Sequence, residues 1–259
     1  MNESVKEHIS LALKKGVRLD GRKLAEFRPI TIKRGVSATA DGSAEVIAGE
    51  TDLIVGIKFE VGTPYPDKPD AGTLMVNAEL RPISNPEYEA GPPSIESIEV
   101  ARVVDRTLRE SKAIDEKGLC ITTGEKVWMV NVDLCPLSAD GNLIDLGVLA
   151  ALAALQDARF PVLKEDGQPD YYRKSEERLL LKELPIAVTI VKIGENLLLD
   201  PTEDEMVAAD SRLTIACLDD GRICALQKGG DKPITMEDLE RMLDLALSTA
   251  KELRKLVVR

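Results

Sequence analysis

The densest group of side chains that could do chemistry is acidic and lies late in the chain. The run Asp200-Pro-Thr-Glu-Asp-Glu205 is followed closely by Asp210. Mg²⁺ prefers oxygen ligands, and carboxyl groups also act as general acids or bases. Asp204 and Asp210 could therefore share a metal ion or move a proton. A solvated acidic loop between two strands is the simpler interpretation, and the residues alone favour it.

Three arginines form a second group. Arg102, Arg106 and Arg109 are spaced by four and three residues, which places them on one side of a helix. Guanidinium groups bind phosphates through forked hydrogen bonds, so the three could hold consecutive phosphates of a nucleic acid. The alternative is a solvated helix face on which neighbouring acidic side chains pair with them. Spacing alone favours that alternative.

A turn that opens an apolar helix is the third candidate site. Asp140-Gly-Asn142 precedes Leu143 and Ile144. Free backbone N–H groups at the start of a helix attract anions. However, the apolar side chains at 143 and 144 offer no hydrogen bonds, and Asp145 would repel a phosphate. These residues therefore predict that the turn caps the helix instead of binding an anion.

Other kinds of site are disfavoured. The single histidine, His8, has no triad-like setting, and no Walker A, Rossmann or G-x-S-x-G pattern occurs. The four cysteines form no C-x-x-C, so we expect neither a structural metal nor a cofactor. Cys217 and Cys224 would face each other across a hairpin turn at Asp220-Gly221. That geometry would permit a disulfide, but two reduced thiols in a cytosolic protein are favoured.

The charge balance limits the partners. The chain has 259 residues and a formal net charge of −11. A general nucleic-acid coat needs many Lys and Arg side chains, so this class is excluded, whereas RNA binding at a local basic patch stays open. No apolar stretch approaches the ~20 residues of a membrane span, and no secretory signal pattern occurs. A cytoplasmic protein is expected.

The elements that must position these groups fall into two similar halves. Residues 1–17 predict a helix, and residues 29–80 alternate as in a meandering antiparallel sheet. An amphipathic helix is predicted over 94–113. A strand over 119–134 and a buried helix over 143–155 complete the first half.

The second half repeats this layout at a smaller scale. Strands predicted between residues 186 and 227 precede a helix over 235–256, after a polar connector over 160–181. Sheet followed by helix, twice, predicts an α+β (mixed α/β) protein of two sheet-plus-helix halves. We expect an N-terminal helix over 1–17, a first subdomain over 18–160 and a smaller second subdomain over 161–259.

The order of short motifs resembles the ribonuclease PH family, from Val17 to the C-terminal helix. The opening motifs of that family are similar to Arg18-Leu-Asp-Gly-Arg22, Glu26-Phe-Arg-Pro29, Asp41-Gly-Ser-Ala-Glu45 and Gly49-Glu-Thr51. Its central strand and turn are similar to Gly124-Glu125, Val132-Asp133 and Ala139-Asp-Gly141. The segment 101–109 resembles its R-S-L-R helix, and 200–210 resembles its acidic motif. Several ordered motifs together are specific, although each alone is weak.

The resemblance implies a ribonuclease PH-like fold and a role in RNA degradation. Active members cleave nucleotides from an RNA 3′ end with inorganic phosphate. They hold it with a Thr-Arg or Ser-Arg pair after an Asp-Gly-Gly turn, aided by an arginine on the earlier helix. Here the second glycine is Asn142 and the pair is Leu143-Ile144, so the charge-assisted clamp is lost. Asp204 and Asp210 would then be a vestigial acidic motif beside an unheld nucleophile.

That combination is similar to the non-catalytic ribonuclease PH-type subunits of the archaeal exosome. The resemblance implies a hetero-hexameric ring in which such subunits alternate with a catalytic ribonuclease PH-type partner. RNA-binding cap subunits and single-stranded RNA are the other implied partners. Arg106 occupies the position of the family's helix arginine, and Arg106 and Arg109 are expected to contact RNA, with Arg102 as a third candidate.

The expected function is therefore a structural, RNA-guiding subunit that completes the active site of its partner and is inactive alone. Two alternatives remain open. One is a divergent phosphate-dependent 3′→5′ exoribonuclease that uses Asp204 and Asp210 with Mg²⁺, against which Leu143 and Ile144 argue. The other is a protein-interaction scaffold without any RNA contact.

Overall fold

The computed structural model describes residues 3–165 and 167–258. Its larger sheet belongs to the first half. The strands of this sheet are β1 (Ile30–Arg34), β2 (Gly42–Ala48), β3 (Thr51–Gly62), β4 (Thr73–Ala78), β5 (Cys120–Thr122) and β6 (Lys126–Ser138). The strand order is β1-β2-β3-β6-β4, with β5 paired to one end of β6.

The predicted antiparallel meander is confirmed for β1 to β3 and is wrong for β4. That strand pairs with β6 in parallel, with Leu74 beside Val130 and Val76 beside Val132. Parallel neighbours need a crossover connection, and helix α2 (Ile95–Glu110) supplies it between the two strands. The crossover places α2 against β4 and leaves its outer side in solvent.

Helix α3 (Leu143–Asp157) joins the two halves through the core. Its first thirteen residues, 143–155, are all buried, as the apolar sequence predicts. The helix packs on β2 and β3 on one side and on the sheet of the second half on the other. A Cβ atom at Gly147 would lie 2.8 Å from Leu134, so this glycine permits the close approach of α3 to β6.

The smaller sheet forms the second half, as predicted. Its strands are β9 (Ile186–Ile193), β10 (Asn196–Leu199), β11 (Ser211–Cys217) and β12 (Ile223–Gly229), in the order β10-β9-β11-β12. Helix α5 (Met236–Val257) closes this half, and Thr235 caps it by accepting a hydrogen bond from the backbone N–H of Asp238. Both sheets share one apolar cluster with α3.

The segment predicted as a polar connector is instead a two-stranded hairpin of β7 (Arg159–Leu163) and β8 (Pro169–Arg178). A lone hairpin is marginal in water, so it needs outside contacts. Lys174 donates to the backbone oxygen of Ala40 at 2.5 Å, and Lys58 lies 3.4 Å from the ring centre of Tyr171. Phe160 of β7 is also buried in the core, with its ring centre 4.4 Å from that of Phe59. One buried ring and a few polar contacts leave no periodic apolar pattern that would have predicted a strand.

One further helix completes the fold. The N-terminal helix α1 (Glu3–Lys14) buries Ile9 and Leu13 against the second half, beside Val191 and Leu198. Across residues 3–165 and 167–258, none of the helices combines the length and apolar character that a membrane span requires.

The cysteines of the second half do not face each other as predicted. A bulge shifts the register so that Cys217 pairs with Ile223, and Cys224 points its thiol towards the backbone oxygen of Ala216 at 3.4 Å. Both thiols are free. Burial raises the pKa of Cys224 to about 11, which keeps this thiol protonated at neutral pH.

Candidate functional site

The turn that precedes α3 is held by the second half of the molecule. Asn142 adopts the left-handed conformation, with φ 54° and ψ 33°, and its side chain makes no capping hydrogen bond. Its amide nitrogen instead donates to Asp200 at 2.7 Å. The turn does cap the helix, as predicted, but through its backbone. Asn142 is the N-cap residue, and its backbone oxygen accepts from the N–H of Leu146 at 3.3 Å, because the buried carboxylate of Asp200 takes its side-chain amide.

Asp145 also serves a different purpose from the predicted one. Its carboxylate accepts hydrogen bonds from the backbone N–H of Thr189 at 2.8 Å and from the Thr189 hydroxyl at 2.7 Å. Burial is the largest cause that raises the pKa of Asp145, to about 7. The side chain thus ties α3 to β9.

A small pocket of about 70 Å³ lies where the family resemblance would place a phosphate. Leu143, Ile144 and Val100 form its apolar lining. Its acidic lining consists of Glu96, Glu99 and Glu203. Arg212 is the one arginine in the described lining, and Glu99 already pairs with it.

Hydrogen bonds fix two of these carboxylates in place. The Tyr88 hydroxyl donates to Glu96 at 3.1 Å, and the Asn85 amide donates to Glu203 at 2.7 Å. Desolvation and the repulsion from Glu203 raise the pKa of Glu96, although its side chain keeps contact with solvent at the pocket mouth. Burial, followed by the charge of Glu96, raises the pKa of Tyr88. The pocket is therefore negative and unsuited to an anion.

The acidic run is divided between structural and exposed positions. Thr202 and Glu205 form a capping box that starts a short helix, α4 (Glu203–Ala208), so the predicted loop is wrong in this part. Asp204 is exposed on α4. Asp210 follows α4 and pairs with Lys232 at 2.9 Å, which helps to hold its pKa below the ordinary value despite partial burial.

These positions do not assemble a metal site. Among the described residues, no three His, Cys, Asp or Glu side chains come together in a way that could hold a metal ion. One carboxylate oxygen of Asp210 pairs with Lys232, and the other accepts a hydrogen bond from the backbone N–H of Gly194 at 2.8 Å. Asp204, which is exposed on α4, belongs to no such group among these residues.

Three arginines that the sequence analysis noted only as family motifs hold this region together. Arg18 bonds Glu205 at 2.6 Å, whereas Arg22 and Arg28 bond Asp200 at 2.7 and 2.8 Å. Burial opposes the ionisation of Asp200, but the hydrogen bonds and charge of Arg28 hold its pKa below the ordinary value. The signal in the sequence was an arginine-rich segment early in the chain and a carboxylate run late in it.

The three arginines of α2 differ in their surroundings. Arg102 is exposed. Arg106 leans towards the smaller sheet, where its Nη1 atom donates to Gln227 at 3.3 Å. Arg109 leans towards the larger sheet, where it donates to the backbone oxygen of Leu74 at 2.6 Å and pairs with Asp105. All three arginines lie on α2 as predicted, although Arg106 and Arg109 reach towards different sheets. The alternative of an exposed arginine with an acidic partner describes Arg109.

Two sheets around a shared helix, with an acidic pocket at the start of that helix, are the arrangement expected of a ribonuclease PH-type chain. The 3′ exoribonuclease family matches with its domain 1 over residues 26–161 and its domain 2 over residues 183–249. The chain belongs to this family, and within it to the group of archaeal exosome components.

Individual relatives support that assignment. The exosome complex component Rrp42 of Methanosarcina acetivorans is 45% identical, over 97% of this chain and 92% of the relative. The structure of the Archaeoglobus fulgidus exosome with RNA bound to the active site contains a chain that is 40% identical with a TM-score of 0.90, over 98% and 97% of the two chains. An archaeal exosome core contains one at 39% identity and TM-score 0.87, over 98% and 96%.

Proposed function

We propose that this chain is a non-catalytic, RNA-guiding subunit of an exosome ring that degrades RNA from the 3′ end. One observation carries the proposal. The pocket at the start of α3 contains Glu96 and Glu203 and lacks an unpaired arginine among its described lining residues. A phosphorolytic enzyme must hold phosphate against the scissile linkage, and this pocket would repel it. The chain alone is therefore inactive.

The catalytic step then belongs to a ribonuclease PH-type partner whose active site this chain completes. The two subunits alternate in a hetero-hexameric ring, RNA-binding cap subunits sit on the ring, and the assembly works in the cytoplasm. The relatives named as exosome components support this arrangement, as does the structure of an archaeal exosome with RNA in its active site.

The RNA-guiding role falls to α2. Arg106 uses one of its five N–H donors on Gln227, so its remaining donors are available for a phosphate. Arg109 is positioned by Asp105 and Leu74, and its Nη1 atom makes no hydrogen bond within the described part of the chain. Arg102 is a third, exposed contact. Asp204 and Asp210 have no part in guiding RNA in this scheme. They are surface residues of the second half.

The test compares RNA binding by assembled rings at several salt concentrations. Replacing Arg106 and Arg109 by Ala should weaken binding and reduce the slope of log K against log salt by about 1 to 2, since each lost phosphate contact removes about one released counterion. Arg241→Ala, on the exposed side of α5, is the control and should leave the slope unchanged. An unchanged slope in the double variant would favour a scaffold without RNA contact on α2.

A further inference from the structure

A groove of about 850 Å³ opens next to the acidic pocket. Its walls are the end of β4, the loop that precedes α2, and α4. Ile95 and Val207 line it with side chains that are 88% and 38% exposed, and Pro92 and Pro93 add further apolar surface. A cleft of this size with exposed apolar side chains can accept an extended polypeptide segment.

Carboxylates outnumber cations on these walls. The described lining contains five glutamates, Glu79, Glu87, Glu89, Glu96 and Glu203, and two arginines, Arg81 and Arg212. Both arginines already have acidic partners, because Arg81 pairs with Glu79 at 2.6 Å and Arg212 pairs with Glu99. The other four glutamates form no ion pair within 4.0 Å in the described part of the chain, although the charge of Arg212 acts on Glu96.

The groove continues into the pocket at the start of α3. Glu96 and Glu203 line both of them, so the carboxylates that close the pocket to phosphate also face the groove. Asn142 lines the pocket as well. Its amide nitrogen is engaged by Asp200, and its buried Oδ1 atom has no hydrogen-bond donor among the described residues. Both features suit an occupant that brings positive charge and N–H donors.

We propose that a segment of the ring partner lies in this groove and inserts a lysine or arginine side chain between Glu96 and Glu203. This inference rests on the proposed function, which supplies the partner. The aliphatic stem of such a side chain would pack on Leu143 and Ile144, and its charged head would bond the carboxylates. The apolar residues that replace a phosphate clamp would thereby form the floor of a protein–protein contact.

Charge complementarity favours protein over RNA as the occupant. Four unpaired glutamates would repel a phosphate backbone, whereas a basic segment gains charge-assisted hydrogen bonds. The apolar wall at Ile95 and Val207 also matches a polypeptide better than an RNA backbone. RNA therefore passes elsewhere on the subunit.

Ring assembly with charge-neutralised variants tests the inference. Glu96→Gln combined with Glu203→Gln should weaken association with the catalytic partner about tenfold or more at low salt, and should flatten its salt dependence. Glu237→Gln combined with Glu240→Gln removes the same charge from the exposed side of α5. If both double variants lower the affinity equally, or if neither does, the groove does not receive a basic segment.

A photo-crosslinking residue in place of Ile95 identifies the occupant directly, because this side chain is 88% exposed and its replacement leaves the core intact. The expected product joins the photo-crosslinking residue at position 95 to a Lys- or Arg-containing peptide of the partner. Crosslinks to RNA, or none to the partner, would overturn the inference. Assembly of the unmodified chain separates the two claims. If the ring is active and its affinity is unchanged by the glutamate substitutions, only the inference about the groove is refuted. If the unmodified chain does not associate with the partner at all, both the proposed function and the inference about the groove are refuted.

Discussion

At the scale of single residues, the proposed inability of the pocket to bind phosphate depends on the surrounding carboxylates as much as on Leu143 and Ile144. Leu143 and Ile144 are 6% and 5% exposed and belong to the shared apolar core. Glu96 and Glu203 come to the same pocket from α2 and α4. Replacing the two apolar residues by Thr and Arg would therefore place a new arginine beside two carboxylates that compete with phosphate for it.

Restoring the clamp should fail unless the carboxylates are also removed. Leu143→Thr with Ile144→Arg should show no binding of inorganic phosphate by calorimetry, because the arginine pairs with Glu96 or Glu203. Adding Glu96→Gln and Glu203→Gln should produce measurable binding, with thermal unfolding confirming that each variant is folded. Phosphate binding by the two-residue variant, equal to that of the four-residue variant, would contradict the role assigned to the glutamates.

Asp145 should make stability depend on pH. Its pKa is raised from 3.8 to about 7 in the folded chain, chiefly by burial, so the folded state binds more protons than the unfolded state between these values. The free energy of unfolding should then fall as pH rises through that window, by on the order of a few kcal/mol. Asp145→Asn removes this contribution. Denaturant unfolding at several pH values checks it, and parallel profiles for both proteins would disprove it.

Among the elements, buried ion pairs fasten the N-terminal segment to α4 and to the turn before α3. Asp200 has no exposed side-chain surface and depends on Arg22 and Arg28 for its charge partners. Arg28 also reaches the backbone oxygen of Asp140 at 2.9 Å. One arginine thereby connects the segment before β1, the turn and the start of α4.

Removing that connection should be costly. Arg28→Met leaves a buried carboxylate with much of its compensation lost, which typically lowers the free energy of unfolding by about 3 to 5 kcal/mol. Arg81→Met breaks an exposed pair with Glu79 and should cost about 0 to 1 kcal/mol. Urea unfolding compares the two. Equal losses would show that the buried cluster is not what holds α4, and adding Asp200→Asn to Arg28→Met should recover part of the loss.

Most helices and strands could be predicted because their apolar residues repeat with the expected period. The buried helix α3 and the amphipathic helix α5 are examples. The parallel pairing of β4 could not be predicted, since it depends on how α2 crosses the sheet. The β7–β8 hairpin is held by the buried ring of Phe160 and by polar contacts such as Lys174 with Ala40, which together leave no periodic apolar pattern. The subdomain limits at 160 and 161 remain a prediction.

The site was predictable only where it lies in one continuous segment. Leu143 and Ile144 follow the turn directly, so the apolar pair at this position is visible in the sequence. The acidic pocket is not visible in the sequence, because Glu96 and Glu203 come from elements far apart in the chain. The ion pair of Arg18 with Glu205 is hidden for the same reason. Long-range pairs of charges leave no local spacing from which they could be inferred.

For the molecule as a whole, the distribution of charge over the surface decides which partners bind where, and the total charge does not. The net charge of −11 includes the glutamates of the groove, which we assign to a protein partner. We assign to the arginines of α2 the local positive charge that RNA binding requires. An acidic subunit can therefore guide RNA, provided that each surface meets its own kind of partner.

The central claim is that this chain needs a catalytic partner in order to degrade RNA. The most direct test incubates 5′-labelled single-stranded RNA with Mg²⁺ and inorganic phosphate, first with this chain alone and then with the ribonuclease PH-type partner added. The account predicts no products from the chain alone and processive 3′→5′ degradation by the mixture. Phosphate-dependent release of nucleoside diphosphates by the chain alone would contradict it, and would mean that residues outside the acidic pocket hold the phosphate.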